Sequence, residues 1–287
     1  MHFSSKIAKW ATAVRLAGVI IAFTAILSAA STRAATPLRI ACVGDSITAG
    51  YTDNPTWNVP FEFGYRSGLY TRLTNAGYSF QFVGASVEPW TNNFGPAPHN
   101  TPSPDLRTVD QDKHRGYGGW GTADIKNNIG SWLTADNPDI VLLMVGINDN
   151  GSVAARNNLQ NIVQTIVTQK PNAEVIVAQI TPTLTYSQSI VDYNTYIRNT
   201  LVPTFQSQGK HVTTVNQYVN MTINGSIAPS LFSNGINHPN LVSYDRMAET
   251  WFQGVQAVCP VPEPGTISLL AMAGLGLIGI VWRSRKK

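Results

Sequence analysis

Four short stretches hold the groups with chemistry to offer: Gly44-Asp45-Ser46, His114-Arg115-Gly116-Tyr117-Gly118-Gly119-Trp120-Gly121, Gly146-Ile147-Asn148-Asp149 and Asn237-His238-Pro239. A serine hydroxyl attacks a carbonyl when a base takes its proton, and imidazole is the side chain suited to that task near neutral pH. Of the five histidines, His2 lies in an N-terminal leader, His99 and His114 in a long irregular segment, and His211 at the start of a strand. His238 alone sits in a loop just before the last helix of the folded part. The attacked carbonyl oxygen gains negative charge, so donors that do not titrate are wanted beside it. The Asn148 amide is one, and glycine around position 119 lets a backbone N–H approach a ligand closely. Taken singly, each group has an ordinary reading. Ser46 is a helix cap, Asp45 and Asn148 are turn formers, and His238 is an inert loop histidine. The set, rather than any member, points to acyl transfer.

The elements that must position these groups follow from the hydrophobic pattern. Pro37 to Gly44 ends in an apolar run, Ile40 to Val43, read as a buried strand that delivers Ser46 onto a tight turn. Further strands are predicted over 79–84, 139–146, 174–180 and 211–216, the run from Asp139 (DIVLLMVG) being the most apolar and so central. Helices are predicted over 61–76, 122–133, 153–168, 189–206 and 240–258, with Pro203 a kink or end in the fourth. Residues 217–239 read as loop. Strands alternating with helices imply a parallel sheet covered on both faces, and right-handed crossovers make five such units a three-layer α/β/α sandwich of flavodoxin-like type. Ligands sit at the carboxyl ends of the strands of such a sheet, where Ser46 falls. Residues 85–121 form a long segment rich in Pro, Asn and Gly. Trp90, Phe94, Tyr117 and Trp120 argue against plain disorder there.

The four blocks GDSIT, GYGGWG, GIND and NHPN stand in the order and spacing of the SGNH hydrolases, the GDSL-type esterases and lipases. The chain resembles that family from about Leu38 to Val255, with the likeness strongest to bacterial members similar to carbohydrate acetylesterases. The resemblance implies Ser46 as nucleophile and His238 as base. It implies an oxyanion hole from the N–H groups of Ser46 and Gly119 and the side chain of Asn148. It matches Trp120 to an aromatic that such members carry after the second-block glycine; Trp120 and Tyr117, with Trp90, are candidates to stack on sugar rings or to pack the loop down, and Asp45 is a further substrate-binding candidate. No cluster of metal-ligand residues stands out, so no metal and no other cofactor is expected. One departure matters. The family carries Asp three residues before this histidine, and here that position is Gly235; Asn234 is the nearest polar candidate for orienting His238, with a backbone carbonyl or an acid from elsewhere in the chain as the alternatives. Two rival readings stand beside the esterase acting on short acyl groups of carbohydrate. One is a lipase or lysophospholipase. The other is a non-catalytic surface protein, for carbohydrate binding or matrix, that kept the fold.

Composition settles what the ends do. The net charge is +4, yet the first 34 residues and the last 22 each carry four basic residues and no acid, so the middle is net negative. The basic surplus is therefore no argument for nucleic-acid binding. Residues 1–34 read as a signal peptide and 35–258 as the hydrolase domain. Residues 259–265 form a Pro-rich linker holding Pro262-Glu263-Pro264, residues 266–282 a membrane span, and 283–287 a basic cytoplasmic tail. That tail resembles the PEP-CTERM sorting signal of Gram-negative bacteria. It implies an exosortase-type sorting enzyme as partner, membrane contact through the C-terminal helix before processing, and a destination in the cell envelope or beyond. The domain is expected to be monomeric. Cys42 and Cys259 leave pairing open, since sequence does not show whether they meet.

Overall fold

The computed structural model describes residues 36–52, 63–86, 88, 104–233 and 235–260. The expected signal peptide, the PEP segment, the C-terminal span, Trp90 and Asn234 lie outside them. Among the described residues no helix is long and apolar enough to cross a membrane.

Five strands form the backbone of a parallel sheet in the order β2-β1-β4-β5-β6: β1 (Leu38–Gly44), β2 (Phe80–Val83), β4 (Ile140–Met144), β5 (Glu174–Gln179) and β6 (Val212–Asn216). Every residue of β4 is buried, as its unbroken IVLLM run demands of a strand covered on both faces. The strand order reverses between β1 and β4, which makes their carboxyl ends the topological switch point. A sixth piece, the two-residue β3 (Arg115–Gly116), was not expected. It pairs with β1 at Val43 and Gly44, beyond the stretch that β2 covers. The end of the strand that leads to Ser46 thus has a partner on each side, β3 and β4.

Among the described residues seven helices flank the sheet: α1 (Ser46–Ala49), α2 (Tyr65–Asn75), α3 (Thr122–Asp136), α4 (Val153–Gln169), α5 (Gln188–Tyr196), α6 (Val202–Ser207) and α7 (Leu241–Val258). α2 packs on α7, and α3 on α4, in the three-layer arrangement. The spacing of Tyr65, Leu69 and Leu73 gives α2 its buried stripe. The predicted helix over 189–206 is two helices joined by a π-turn, Ile197–Leu201. Pro203 lies just after that turn, where its missing N–H and its ring disturb the regular bonding. The loop-like region over 217–239 contains a small hairpin, Thr222–Ile223 with Ser226–Ile227, turned by Asn224 and Gly225 at φ 51° and 80°. An Asn-Gly pair of that conformation is a strong hairpin signal that could have been read from the sequence. Cys42, buried in β1, and Cys259, after α7, are both free thiols, and burial pushes the Cys42 thiol up to about 12.

β3 is tied to the far end of α3 by an ion pair. The Arg115 guanidinium donates two hydrogen bonds to the Asp136 carboxylate, at 2.7 and 2.8 Å, and lies 5.2 Å over the Trp132 ring. Both side chains are largely buried. Removing one partner strands the other charge, so Arg115→Ala is expected to cost about 3 kcal/mol. Urea denaturation checks this; a loss indistinguishable from zero would mean the pair is solvated.

Candidate active site

The turn that carries Ser46 is fixed by close packing. At Gly44 a Cβ would lie 2.1 Å from the Met144 carbonyl oxygen and 2.4 Å from Thr48 Oγ1, so only glycine lets β4 and α1 both close on this point. Asp45 caps α1, its carboxylate accepting from the Ile47 N–H at 3.0 Å. Gly50 ends the helix at φ 100°, its N–H donating to the Ser46 carbonyl at 2.9 Å. Arg66, fully buried in α2, donates to the carbonyls of Thr48 and Ala49 and to that of Asp112. A buried cation thereby caps the C-terminal end of the four-residue helix on which Ser46 is the first residue. Sequence reasoning missed Arg66, although a basic residue beside the apolar stripe of α2 was a signal.

Ser46 Oγ and His238 Nε2 are 2.8 Å apart, across 192 residues of sequence. His238 lies in the loop that precedes α7. That loop is fixed by Asn240, which caps α7 by accepting from the Ser243 N–H and donates to the Ser230 carbonyl. It is also held by the Ser233 N–H, which donates to the His238 carbonyl, and by the Leu184 N–H, which donates to that of Ile236. Gly235 supplies no side chain to orient the imidazole, and Asn234 is outside the described residues. The geometry lets the serine hydroxyl donate to Nε2 and pass its proton there.

The glycine block sits against the same strand end. The Tyr117 N–H donates to the Gly44 carbonyl, and a Cβ on Gly116 would strike the Ala49 nitrogen at 2.5 Å. Tyr117 to Trp120 form a turn closed by the Trp120 N–H on the Tyr117 carbonyl, with Gly119 at φ 76°. Gly119 is exposed, with open space where a side chain would stand. His114 braces this block from behind. It is buried, its Nδ1 accepts from the Gly116 N–H, and its Nε2 therefore donates to the Glu88 carbonyl at 2.9 Å. Burial holds its affinity for a proton well below the usual histidine range, with Arg66 adding to the effect. His114 is thus a neutral structural histidine.

The third block is tied to the second. Asn148 donates one amide hydrogen to the Trp120 carbonyl at 2.8 Å, which fixes its orientation and leaves the second hydrogen for a ligand. Asp149, the last residue of the third block, accepts from the Thr122 N–H at 2.8 Å and so caps α3. Gly146, at φ 127°, makes room for the Tyr193 ring, whose hydroxyl donates to the Val145 carbonyl. The aromatics expected near substrate pack inward: Tyr117, Trp120 and Trp132 lie nearly parallel, with centroids 4.3 to 5.9 Å apart. Asp45, also considered for substrate contact, is buried under the turn.

A doubly wound sheet with a serine–histidine pair at its switch point is an arrangement suited to acyl transfer. The chain belongs to the GDSL-like lipase/acylhydrolase family, whose model matches residues 42–246. Residues 260–286 match the PEP-CTERM protein-sorting motif. Among solved structures, a family 3 carbohydrate esterase of Clostridium thermocellum is similar at 28% identity and a TM-score of 0.59, over 78% of this chain and 98% of that one. A family 3 carbohydrate esterase of Talaromyces cellulolyticus shares the fold at 22% identity and a TM-score of 0.58, over 78% and 100%. A curated protein of Acetivibrio thermocellus is 38% identical over 76 residues, 25% of this chain, and the match spans about a third (32%) of that protein's length.

Two predictions follow from this geometry. Burial raises the Asp45 carboxyl from 3.8 to about 7; its bond from the Ile47 N–H and the nearby His238 oppose the rise, and Asp149 adds to it. The folded state then binds this proton more tightly than the unfolded chain, so stability falls as pH rises from about 4 to 7, and the full penalty is present above that. Asp45→Asn keeps an oxygen for Ile47 and removes the slope. It is expected to be more stable than wild type at pH 8, on the order of a few kcal/mol, and equal at pH 4. Parallel stability curves over that range would contradict this. Second, Asn148→Ala is expected to slow hydrolysis of nitrophenyl acetate on the order of a hundredfold with its melting temperature unchanged. A wild-type rate would remove Asn148 from the oxyanion hole.

Proposed function

We propose that the protein is an exported serine esterase that removes short acyl groups, O-acetyl above all, from carbohydrate. The observation that carries this reading is the 2.8 Å contact between Ser46 Oγ and His238 Nε2 at the sheet's switch point. In the mechanism, Ser46 Oγ attacks the ester carbonyl carbon while His238 Nε2 takes the hydroxyl proton. The oxyanion forms against the N–H groups of Ser46 and Gly119 and the free amide hydrogen of Asn148. The carbon–oxygen bond to the alcohol then breaks, and His238 returns its proton to that oxygen. Water, deprotonated by His238, attacks the acyl-enzyme; the proton goes back to Ser46 and the carboxylic acid leaves. Gly235 stands where the family has a carboxylate, so the imidazolium is stabilised without an acid at that position.

Carbohydrate as the acyl bearer is supported by the likeness to the Clostridium thermocellum family 3 carbohydrate esterase over nearly that protein's whole length. Export is supported by the PEP-CTERM match over residues 260–286; with it, residues 1–34 are read as a signal peptide, 35–258 as the domain and 266–282 as a span cut by an exosortase-type enzyme. The lipase reading has one observation in its favour. Leu184 and Ile236, joined by a backbone hydrogen bond on the His238 loop, are exposed apolar side chains. A chain-length series of nitrophenyl esters separates the two. Acetate is expected to give the highest kcat/KM, falling with each added pair of carbons, and Ser46→Ala is expected to abolish hydrolysis. A preference for eight carbons or more would reject the acetyl reading, and activity surviving in Ser46→Ala would reject the serine mechanism.

A further inference from the structure

Tyr51 follows the nucleophile's helix by two residues and touches each part of the site. Its N–H donates to the Ser46 carbonyl at 2.9 Å. Its ring lies along the His238 imidazole, centroids 6.1 Å apart at 27°. Its hydroxyl donates to the Glu88 carboxylate at 3.2 Å, and that same carboxylate oxygen accepts from the Gly118 N–H, the residue before Gly119. The Tyr244 hydroxyl, on α7, donates to the Tyr51 carbonyl. Glu88 is itself held: its carbonyl accepts from His114 Nε2 and its N–H donates to Ser86 Oγ. A Cβ on Gly118 would stand 3.2 Å from both the Glu88 carboxylate and the Tyr51 hydroxyl, so glycine there lets the three groups close up.

We propose that Tyr51, anchored by Glu88, is a positioning residue: its ring backs the His238 imidazole against Ser46, and its hydroxyl couples that imidazole to the glycine turn that presents the Gly119 N–H. A ring fixed at its N–H, its carbonyl and its hydroxyl limits how far the imidazole beside it can swing from Ser46. Misplacing a reacting group by about 1 Å can lower a rate on the order of a hundredfold, so a support of this kind acts on the chemical step and not on substrate binding.

The inference rests on the serine-esterase reading, and the experiment keeps the two apart. Rates of Ser46 labelling by a rhodamine-linked fluorophosphonate, and kcat and KM for nitrophenyl acetate per labelled site, are measured on the full-length chain. The variants are Ser46→Ala, Tyr51→Leu, Tyr51→Phe and Glu88→Gln. Tyr70→Leu is the control, a ring that packs on Phe80 away from the site. Tyr51→Leu is expected to lower both the labelling rate and kcat by on the order of tenfold or more, with KM unchanged. Tyr51→Phe keeps the ring and Glu88→Gln keeps an acceptor oxygen, so each is expected to fall between Tyr51→Leu and wild type. Tyr70→Leu is expected to lose thermal stability but react at the wild-type rate per folded molecule. Wild-type labelling by Tyr51→Leu, or equal losses in Tyr51→Leu and Tyr51→Phe, overturns the positioning role and leaves the esterase reading intact. Absence of labelling in wild type and Ser46→Ala alike overturns the esterase reading and this proposal with it.

Discussion

The site depends on how closely three backbones meet at Gly44. No side chain fits there: the Met144 carbonyl on one side and Thr48 on the other already occupy the space a Cβ would need. β1, β4 and α1 can therefore converge at the switch point, and β3 completes the ring of strand ends by pairing at Val43 and Gly44. Every group with chemistry to offer is attached within a few residues of this junction. Ser46 is two residues on, the glycine turn hangs from the Gly44 carbonyl through Tyr117, and Asn148 follows β4. Close packing here decides position to a fraction of an ångström, which acyl transfer requires.

Charge is managed around that junction in an unusual way. The turn that holds Ser46 has a buried carboxyl at its front, Asp45, and a buried guanidinium behind it, Arg66. Arg66 meets carbonyl oxygens at the C-terminal end of α1, where a cation suits the helix dipole. Burial moves both groups toward their neutral forms, Asp45 up and Arg66 down. Stability lost there is offset by the surrounding core, in which β1, β4 and β5 are almost wholly buried. His238, by contrast, is only half-buried, on a loop held by the Ser233 and Leu184 N–H groups.

Much of this was legible in the sequence because the signals were local. An apolar run stopped by Gly-Asp-Ser, an unbroken apolar strand ending in Gly146, and an Asn-His-Pro before an amphipathic helix each lie within a dozen residues, and periodicity placed the five long strands to within a residue or two. What escaped depends on contacts between distant segments. β3 is two residues long and exists only because β1 outruns β2. Arg66 lies beside the apolar stripe of α2, but its acceptors are backbone carbonyls rather than acids, so the sequence named no partner that would draw it inward. The Tyr51–Glu88 contact spans 37 residues and a segment with no periodicity. Tyr117 and Trp120 were visible as aromatics, but that they would stack on Trp132 required knowing where α3 lies.

The central claim is that Ser46 carries the acyl group between the two half-reactions. The most direct measurement is mass spectrometry of protein quenched in acid during steady turnover of nitrophenyl acetate, followed by peptide mapping. The account predicts an acetyl group on the peptide containing Ser46, lost in His238→Ala, where attack has no base. Turnover with no acetylated peptide, or with acetyl on a different residue, would contradict it.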